Sequence, residues 1–371
     1  MAQMRPLQRQ KQKQRQRQLP EAVAETVNER HHRETFSLII YVCFIAAVLV
    51  TAAVCVALGS VPIPLKEVVR VVWQAVTGTG EQQGTWSSII LTVRLPRVIC
   101  VALTGAALSL CGASMQGLLK NPLADGSTLG VSSGASLGAV LSIAFGITIP
   151  AIPFSGTMVM AILFAFGSLL LILGLSYRLD NSLSTNTIIL VGIIYSMFVS
   201  SIMTLAIYFA GDKVRHITFW TMGSLAGSSY QNALVLLTAL VICGVILLMH
   251  CRELNAFAIG EDNARSIGVN VRRVRITVLV TVSVLIGVCV SIGGTIGFVG
   301  LVTPHIVRML TGPNHKKLLP ASIFGGAIFL MLCDLAARVI ISPLELPIGA
   351  VTSFIGAIVF VVIFYKARKA A

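Results

Sequence analysis

Charge is what this sequence has least of. Only 11% of its 371 residues are Asp, Glu, Lys or Arg, while 56% are hydrophobic and the mean hydropathy is +0.88. Soluble domains carry about a quarter charged residues, so a soluble globular chain is excluded. Extended disorder is excluded over most of the length, because it requires low hydrophobicity. Acids are scarcer than bases, 14 against 28, for a net charge of +14. The eight cysteines form no C-x-x-C pair and sit mostly in apolar runs, so they read as buried, inert thiols and not as a secreted disulfide scaffold. There is no G-x-x-x-x-G-K-[ST] phosphate loop, no H-E-x-x-H and no nucleophile or paired-carboxylate motif, so nothing supports a membrane enzyme.

What is present is a series of long apolar runs. Hydrophobic stretches of about 18 residues or more signal membrane helices. Clear runs cover 36–58, 157–175, 187–210, 233–250, 276–292, 321–341 and 348–365, and Gly/Ala/Ser-rich ones cover 98–118, 127–147 and 298–310. About ten crossings are expected, in an all-α integral membrane protein. The first run is too long for a signal-peptide core and reads as an uncleaved helix.

Ten crossings put both termini on one side. That side then holds 21 Lys and Arg; the other holds 7, namely Lys66, Arg70, Arg94, Arg97, Lys213, Arg215 and Arg338. The positive-inside rule makes the richer side cytoplasmic. Residues 1–35, with the run QRQKQKQRQRQ, read as a basic disordered tail resting on anionic headgroups rather than as a nucleic-acid arm. Residues 36–371 form the membrane domain. Leu65, Val68, Val69, Val72 and Val76 share one face of a short amphipathic segment suited to the outer interface.

Gly130, Gly134 and Gly138 recur every four residues, and Ala102, Gly105, Ala106, Ser109, Gly112 and Ala113 form a second small-residue stripe. Both let neighbouring backbones approach closely, and such helices can also line a pathway. Ionisable residues inside the runs are few. Asp334 and Arg338, four apart, can neutralise each other, and Glu345 sits at a boundary. An ion-coupled carrier needs a buried carboxylate relay, and none is evident. Energy for transport must come from another chain.

The loop 251–275 is the longest between runs on the basic side. Residues 254–259 can form a short helix ended by Gly260. Glu261 and Asp262 open a second, with Arg265 near its end and Gly268 as the stop. Two short helices about a glycine make a rigid knob with Phe257 and Ile259 available for docking; an interfacial linker lying on the membrane is the alternative.

Several motifs, in order, then match a known family. They are RLPR at 94–97, GASMQG at 112–117, NPLAD at 121–125, LGVSSGA at 129–135, FWTMGSL at 219–225 and LNAFAIGEDNARSIGV at 254–269. GFVGLV at 297–302, PHIVR at 304–308, Asp334 with Arg338, and ELPIG at 345–349 complete the set. The chain resembles the FecCD-type permeases, membrane subunits of importers for ferric siderophores, haem and vitamin B12.

The resemblance implies a type II ABC importer permease of ten helices, paired with a second copy or a paralogue. It implies two cytoplasmic ATPases below and an extracytoplasmic substrate-binding protein above, with no cofactor on this chain and with ATP and Mg on the ATPases. It places ATPase-coupling helices at about 254–268, with Leu254, Asn255, Ala256, Phe257, Ile259, Gly260, Glu261 and Arg265 at the contact. Arg94, Arg97 and Arg338 fall where such permeases grip acids of the binding protein; snorkelling anchors and the Asp334 pair are the plainer readings. Thr185 and Asn186 match a cytoplasmic gate, although Ser184 or Thr185 as a helix cap accounts for the segment equally well. His305 suggests a haem ligand, but its P-H-x-x-R setting favours packing. The expected cargo is a ferric siderophore, with haem or cobalamin as the alternative and an ion-coupled carrier as the remote one. Protease added outside intact cells should leave the 1–35 tail uncut, as an epitope placed there would report; cleavage would reverse the orientation.

Overall fold

The computed structural model describes residues 39–59, 61–78, 84–126, 129–147, 156–181 and 183–370; the 1–35 tail lies outside them. The chain falls into two compact units, Met1–Ala47 and Val48–Ala371. Of the first, the described part is the opening of helix α1 (Ile39–Ala57). The second holds the rest of α1, then α2 (Leu65–Thr77) and α3 (Thr85–Leu119). After these come α4 (Val131–Phe145), α5 (Gly156–Leu179), α6 (Thr185–Tyr208), α7 (Val214–Thr221) and α8 (Tyr230–Met249). The short α9 (Cys251–Ile259) and α10 (Glu261–Ser266) precede α11 (Val271–Gly293), α12 (Val299–Thr311), α13 (His315–Val339) and α14 (Ile348–Ala370). Among the described residues there is no strand.

Among the described residues, seven helices are long and apolar enough to cross a membrane: α1, α3, α5, α6, α8, α11 and α13. The expected ten therefore rests on three others. α4 has 15 residues and α12 has 13, about 22 and 20 Å at the helical rise, against an apolar layer of about 30 Å. The apolar described stretch of α14 is Ile348–Val362. Short helices need non-helical lead-ins, which are tolerated at membrane depth only inside protein. The lead-in to α12 meets that condition. Ser224 N–H donates to the Gly293 carbonyl at 2.9 Å, the Thr295 hydroxyl donates to the Thr221 carbonyl, and Ile348 N–H donates to the Gly223 carbonyl at 3.2 Å.

α3 passes through the centre of the second unit. It survives Pro96 because the turn before it, Ile89–Arg94, is wound as a π-helix. Leu95 N–H reaches back five residues to the Ile90 carbonyl, and the wider turn makes room for the proline ring. Glycines then set how closely its neighbours approach. A Cβ on Gly105 would lie 2.2 Å from the Gly326 carbonyl oxygen, and one on Gly112 would lie 1.8 Å from that of Gly300. The Gly130, Gly134 and Gly138 stripe behaves likewise, in part. Gly134 and Gly138 face Ser168 and Met160 of α5, whereas Gly130 has φ +75° and caps α4 from outside. On α2, Val68 and Val71 are buried while Leu65, Val69 and Trp73 stay exposed, as suits a helix with lipid on one side.

Gly112→Ala should cost about 1–3 kcal/mol by forcing α3 and α12 apart, read as a lower midpoint of thermal aggregation in detergent. Gly167→Ala is the control: its Cβ meets nothing within 4 Å, and the midpoint should not move.

Candidate functional site

Polar chemistry collects at the two ends of the bundle and in one cavity between them. At the end formed by 55–61, 94–97 and 334–348, three arginines turn inward. Arg97 donates from Nε and Nη2 to Asp334 Oδ1 at 3.0 and 2.9 Å, and from Nη1 to both oxygens of Glu345 at 3.0 and 2.8 Å. Arg338 holds the other oxygen of Asp334 at 2.9 Å, the pair expected from their i, i+4 spacing. Arg338 also donates to the carbonyls of Cys55 at 3.0 Å and Leu58 at 3.1 Å. Arg94 donates to the carbonyls of Val56 at 2.7 Å, Ala57 at 2.9 Å and Val61. The last carbonyls of a helix have no partner within it, and here guanidinium groups supply one for α1.

Arg94, Arg97 and Arg338 are 7%, 7% and 4% exposed. Each guanidinium is held inside by its own carbonyls or carboxylates. The exposed cations of this end are Lys66, Arg70, Lys213 and Arg215. Removing Asp334 would leave buried cations short of a counterion, a loss of about 3–5 kcal/mol.

The opposite end carries the knob. α9 and α10 form as expected, joined by Gly260 at φ +128° and ended by Gly268 at φ +88°. Phe257, however, is fully buried with Leu254 and Ala256, so its ring anchors the knob to the bundle. The surface the knob does present holds Ile259, Asp262, Arg265 and Ile267. Asn255 braces it, accepting from both N–H and Nδ1 of His315 at 2.9 Å and donating to Asn314 Oδ1 at 2.9 Å. Glu261 pairs with Arg275, which is fully buried and also donates to the Leu183 carbonyl.

Leu183 opens the polar turn that precedes α6. Ser184, not Thr185, is the cap, its Oγ accepting from Thr187 N–H at 3.5 Å and lying 2.9 Å from Thr187 Oγ1. Asp180 Oδ2 closes the ring, accepting from Ser184 N–H at 3.1 Å and from Thr187 Oγ1 at 3.3 Å. Thr185 is half-buried on this turn and Asn186 is exposed. Gln116 accepts from Arg308 at 2.9 Å and donates to the carbonyls of Gly300 and Leu301, tying α3 to α12. His305 lies on α12 beside Pro304, half-buried.

A cavity of about 220 Å³ lies between α3, α4, α6 and α11, bordered by Ser132, Ser133, Ser136, Thr295, Asp125 and Met203. Its wall is mainly apolar, with Leu108, Met203, Ile286, Val290 and Ile296 beside the four hydroxyls and the Asp125 carboxyl. Among the described residues, no three His, Cys, Asp or Glu side chains come together as a metal site. Sequence reasoning missed the roles of Asn255, His315, Gln116 and Arg275. The only signal for Arg275 was a charge at the mouth of an apolar run, which the topology count credited to orientation.

Relatives share this architecture. The chain is 42% identical over 313 residues to YvrB of Bacillus subtilis, an uncharacterised ABC transporter permease, covering 84% of this chain and 89% of that one. It is 34% identical to MolB of Haemophilus influenzae, a molybdate import permease, over 86% and 93% of the two chains. It is 37% identical to BtuC of Vibrio vulnificus, a vitamin B12 import permease, over 76% and 84%. A solved ABC transporter assigned to the metal-chelate type, in an inward-facing conformation, matches at a TM-score of 0.78 and 32% identity. The match covers 88% of this chain and 99% of that one. Residues 39–366 fit the model of the FecCD transport family, and the chain belongs to that family.

Proposed function

We propose that this ABC importer permease carries a ferric siderophore inward, driven by two ATPase subunits that bind its α9–α10 knob and loaded by an extracytoplasmic binding protein. The observation that carries the reading is the knob. It projects Ile259, Asp262, Arg265 and Ile267 from a base locked by Asn255, Phe257 and Arg275. A chain without a phosphate loop that offers a rigid surface of this kind is built to take force from another protein. ATP and Mg belong to that partner. In the working assembly the knob end and both termini face the cytoplasm, and a second copy or a paralogue completes the path.

The cargo reading is supported by the likeness to a metal-chelate type transporter and by a mainly apolar cavity with four hydroxyls and no Lys, Arg or His on its wall. Cobalamin is the second reading, favoured by the 37% identity to a vitamin B12 permease. Co-purification of a soluble phosphate-loop ATPase with the tagged permease is the first expected result. Titrating the binding protein with ferric siderophores, haemin, cobalamin and molybdate by intrinsic fluorescence then decides the cargo. A tight response to cobalamin alone would remove the iron reading.

Docking of the binding protein follows from the exposed cations at the far end. Lys66→Glu combined with Arg215→Glu should weaken docking about tenfold at low salt, with the difference shrinking above about 0.5 M NaCl. Equal docking by the charge-reversed protein would place the contact elsewhere.

A further inference from the structure

We infer that Arg275 is a positioning residue that ties the knob to the polar turn opening α6, so that displacement of the knob is delivered to residues 183–187. The inference rests on the importer reading above and names the side chain through which the coupling runs.

Arg275 is an arginine with no exposed surface, on the first turn and a half of α11. One end of its guanidinium, Nη2, meets Glu261 Oε1 on the knob; the other, Nη1, meets the carbonyl of Leu183. A guanidinium is planar and presents its donors in a fixed fork, so two partners on one fork are fixed relative to each other. Both partners belong to stiff units. Glu261 is the first residue of α10, directly after Gly260. Leu183 is buried, and its φ of +53° is one that non-glycine residues adopt only when their surroundings hold them there.

The turn beyond Leu183 is closed on itself by Asp180, Ser184 and Thr187, so it moves as one piece and takes Thr185 and Asn186 with it. The brace at Asn255 leads elsewhere, to Asn314 and His315 at the start of α13. The knob is thus attached at both places, and the Glu261–Arg275–Leu183 chain reaches the turn.

The test uses the full permease with its ATPase subunits in lipid nanodiscs. A reporter cysteine, Asn186→Cys, is placed in a Cys43→Ser background, since the other seven cysteines are buried. Labelling by a membrane-impermeant maleimide is timed with and without ATP, Mg and vanadate. With Arg275 present, nucleotide should change the labelling rate at least fivefold. Arg275→Met should keep ATP hydrolysis within twofold yet reduce that change below 1.5-fold. Arg275→Lys should fail equally, because an ammonium on a flexible stem lacks the planar fork that fixes two partners relative to each other. Glu261→Gln, whose amide oxygen still accepts from the guanidinium, should retain more than half of the change, a rescue that a general loosening of the fold would not give. A full nucleotide response in Arg275→Met overturns the inference. So does loss of ATPase binding in both Arg275 variants, which would make the residue merely structural, and so does an unresponsive reporter beside a native Arg275 and an active ATPase. Absence of any associated ATPase would instead strike the importer reading itself.

Discussion

A guanidinium cannot be left unpartnered away from water, and the second unit of this chain is organised around four of them. Arg94, Arg97, Arg275 and Arg338 are each buried, and each is met by carboxylates, by main-chain carbonyls or by both. Desolvating such an ion costs several kcal/mol, recovered only when the geometry is good and the remaining donors are used. This requirement explains why the end of α1 lies where Arg94 and Arg338 can reach its last carbonyls. It also explains why Glu345, on the loop before α14, is drawn over Arg97. Burying charge in this way gives little stability of its own. It gives definition, because few arrangements satisfy so many donors at once.

The elements legible in the sequence are those whose physics is local. The knob could be read because Gly260 and Gly268 punctuate it and because acids open its second helix. The Asp334–Arg338 pair could be read because four residues are one helical turn. The small-residue stripes pointed to close helix contacts, though not to the Gly105–Gly326 and Gly112–Gly300 pairings. What stayed hidden depends on distance along the chain. Arg97 lies 237 residues from Asp334 and 248 from Glu345, and Asn255 lies 60 from His315. No periodicity relates such positions. The burial of Phe257 was hidden for a related reason: a phenyl ring on a two-turn helix is equally consistent with a docking face and an anchor until its neighbours are known.

The same burial alters how the basic surplus is divided. Charge counting gives seven cations to the outer side, but three of them hold the scaffold together and are withdrawn from the surface. Long-range attraction for an acidic partner depends on exposed charge, since buried pairs are mutually neutralised. That leaves Lys66, Arg70, Lys213 and Arg215 to make the field. Of these, Arg70 already pairs with Glu67 at 2.5 Å and Lys213 donates to the Ala144 carbonyl at 3.0 Å.

The placement of these contacts also divides the bundle into bodies of different stiffness. α3 and α13 are joined at three heights: by Arg97 and Asp334 at one end, by the backbone contact of Gly105 with Gly326 in the middle, and by Gly117 against His315 at the other. Helices fixed at three levels cannot slide or tilt relative to each other without breaking a buried contact. α4, α5 and α6 form a second body, through Gly134 on Ser168, Gly138 on the Met160 carbonyl, and Ser168 bonded to Tyr195 at 2.5 Å. α11 runs between the two, with Gly287 facing the Ala165 methyl and the Cys111 thiol at 3.8 Å from the Val282 carbonyl. The cavity opens along this seam, with Leu108 of α3 on one side and Ser132, Ser136 and Met203 of α4 and α6 on the other. Arg275 sits on the helix at that seam and joins the knob to the start of α6. The knob is thus tied to both bodies, to the start of α6 through Arg275 and to the start of α13 through Asn255.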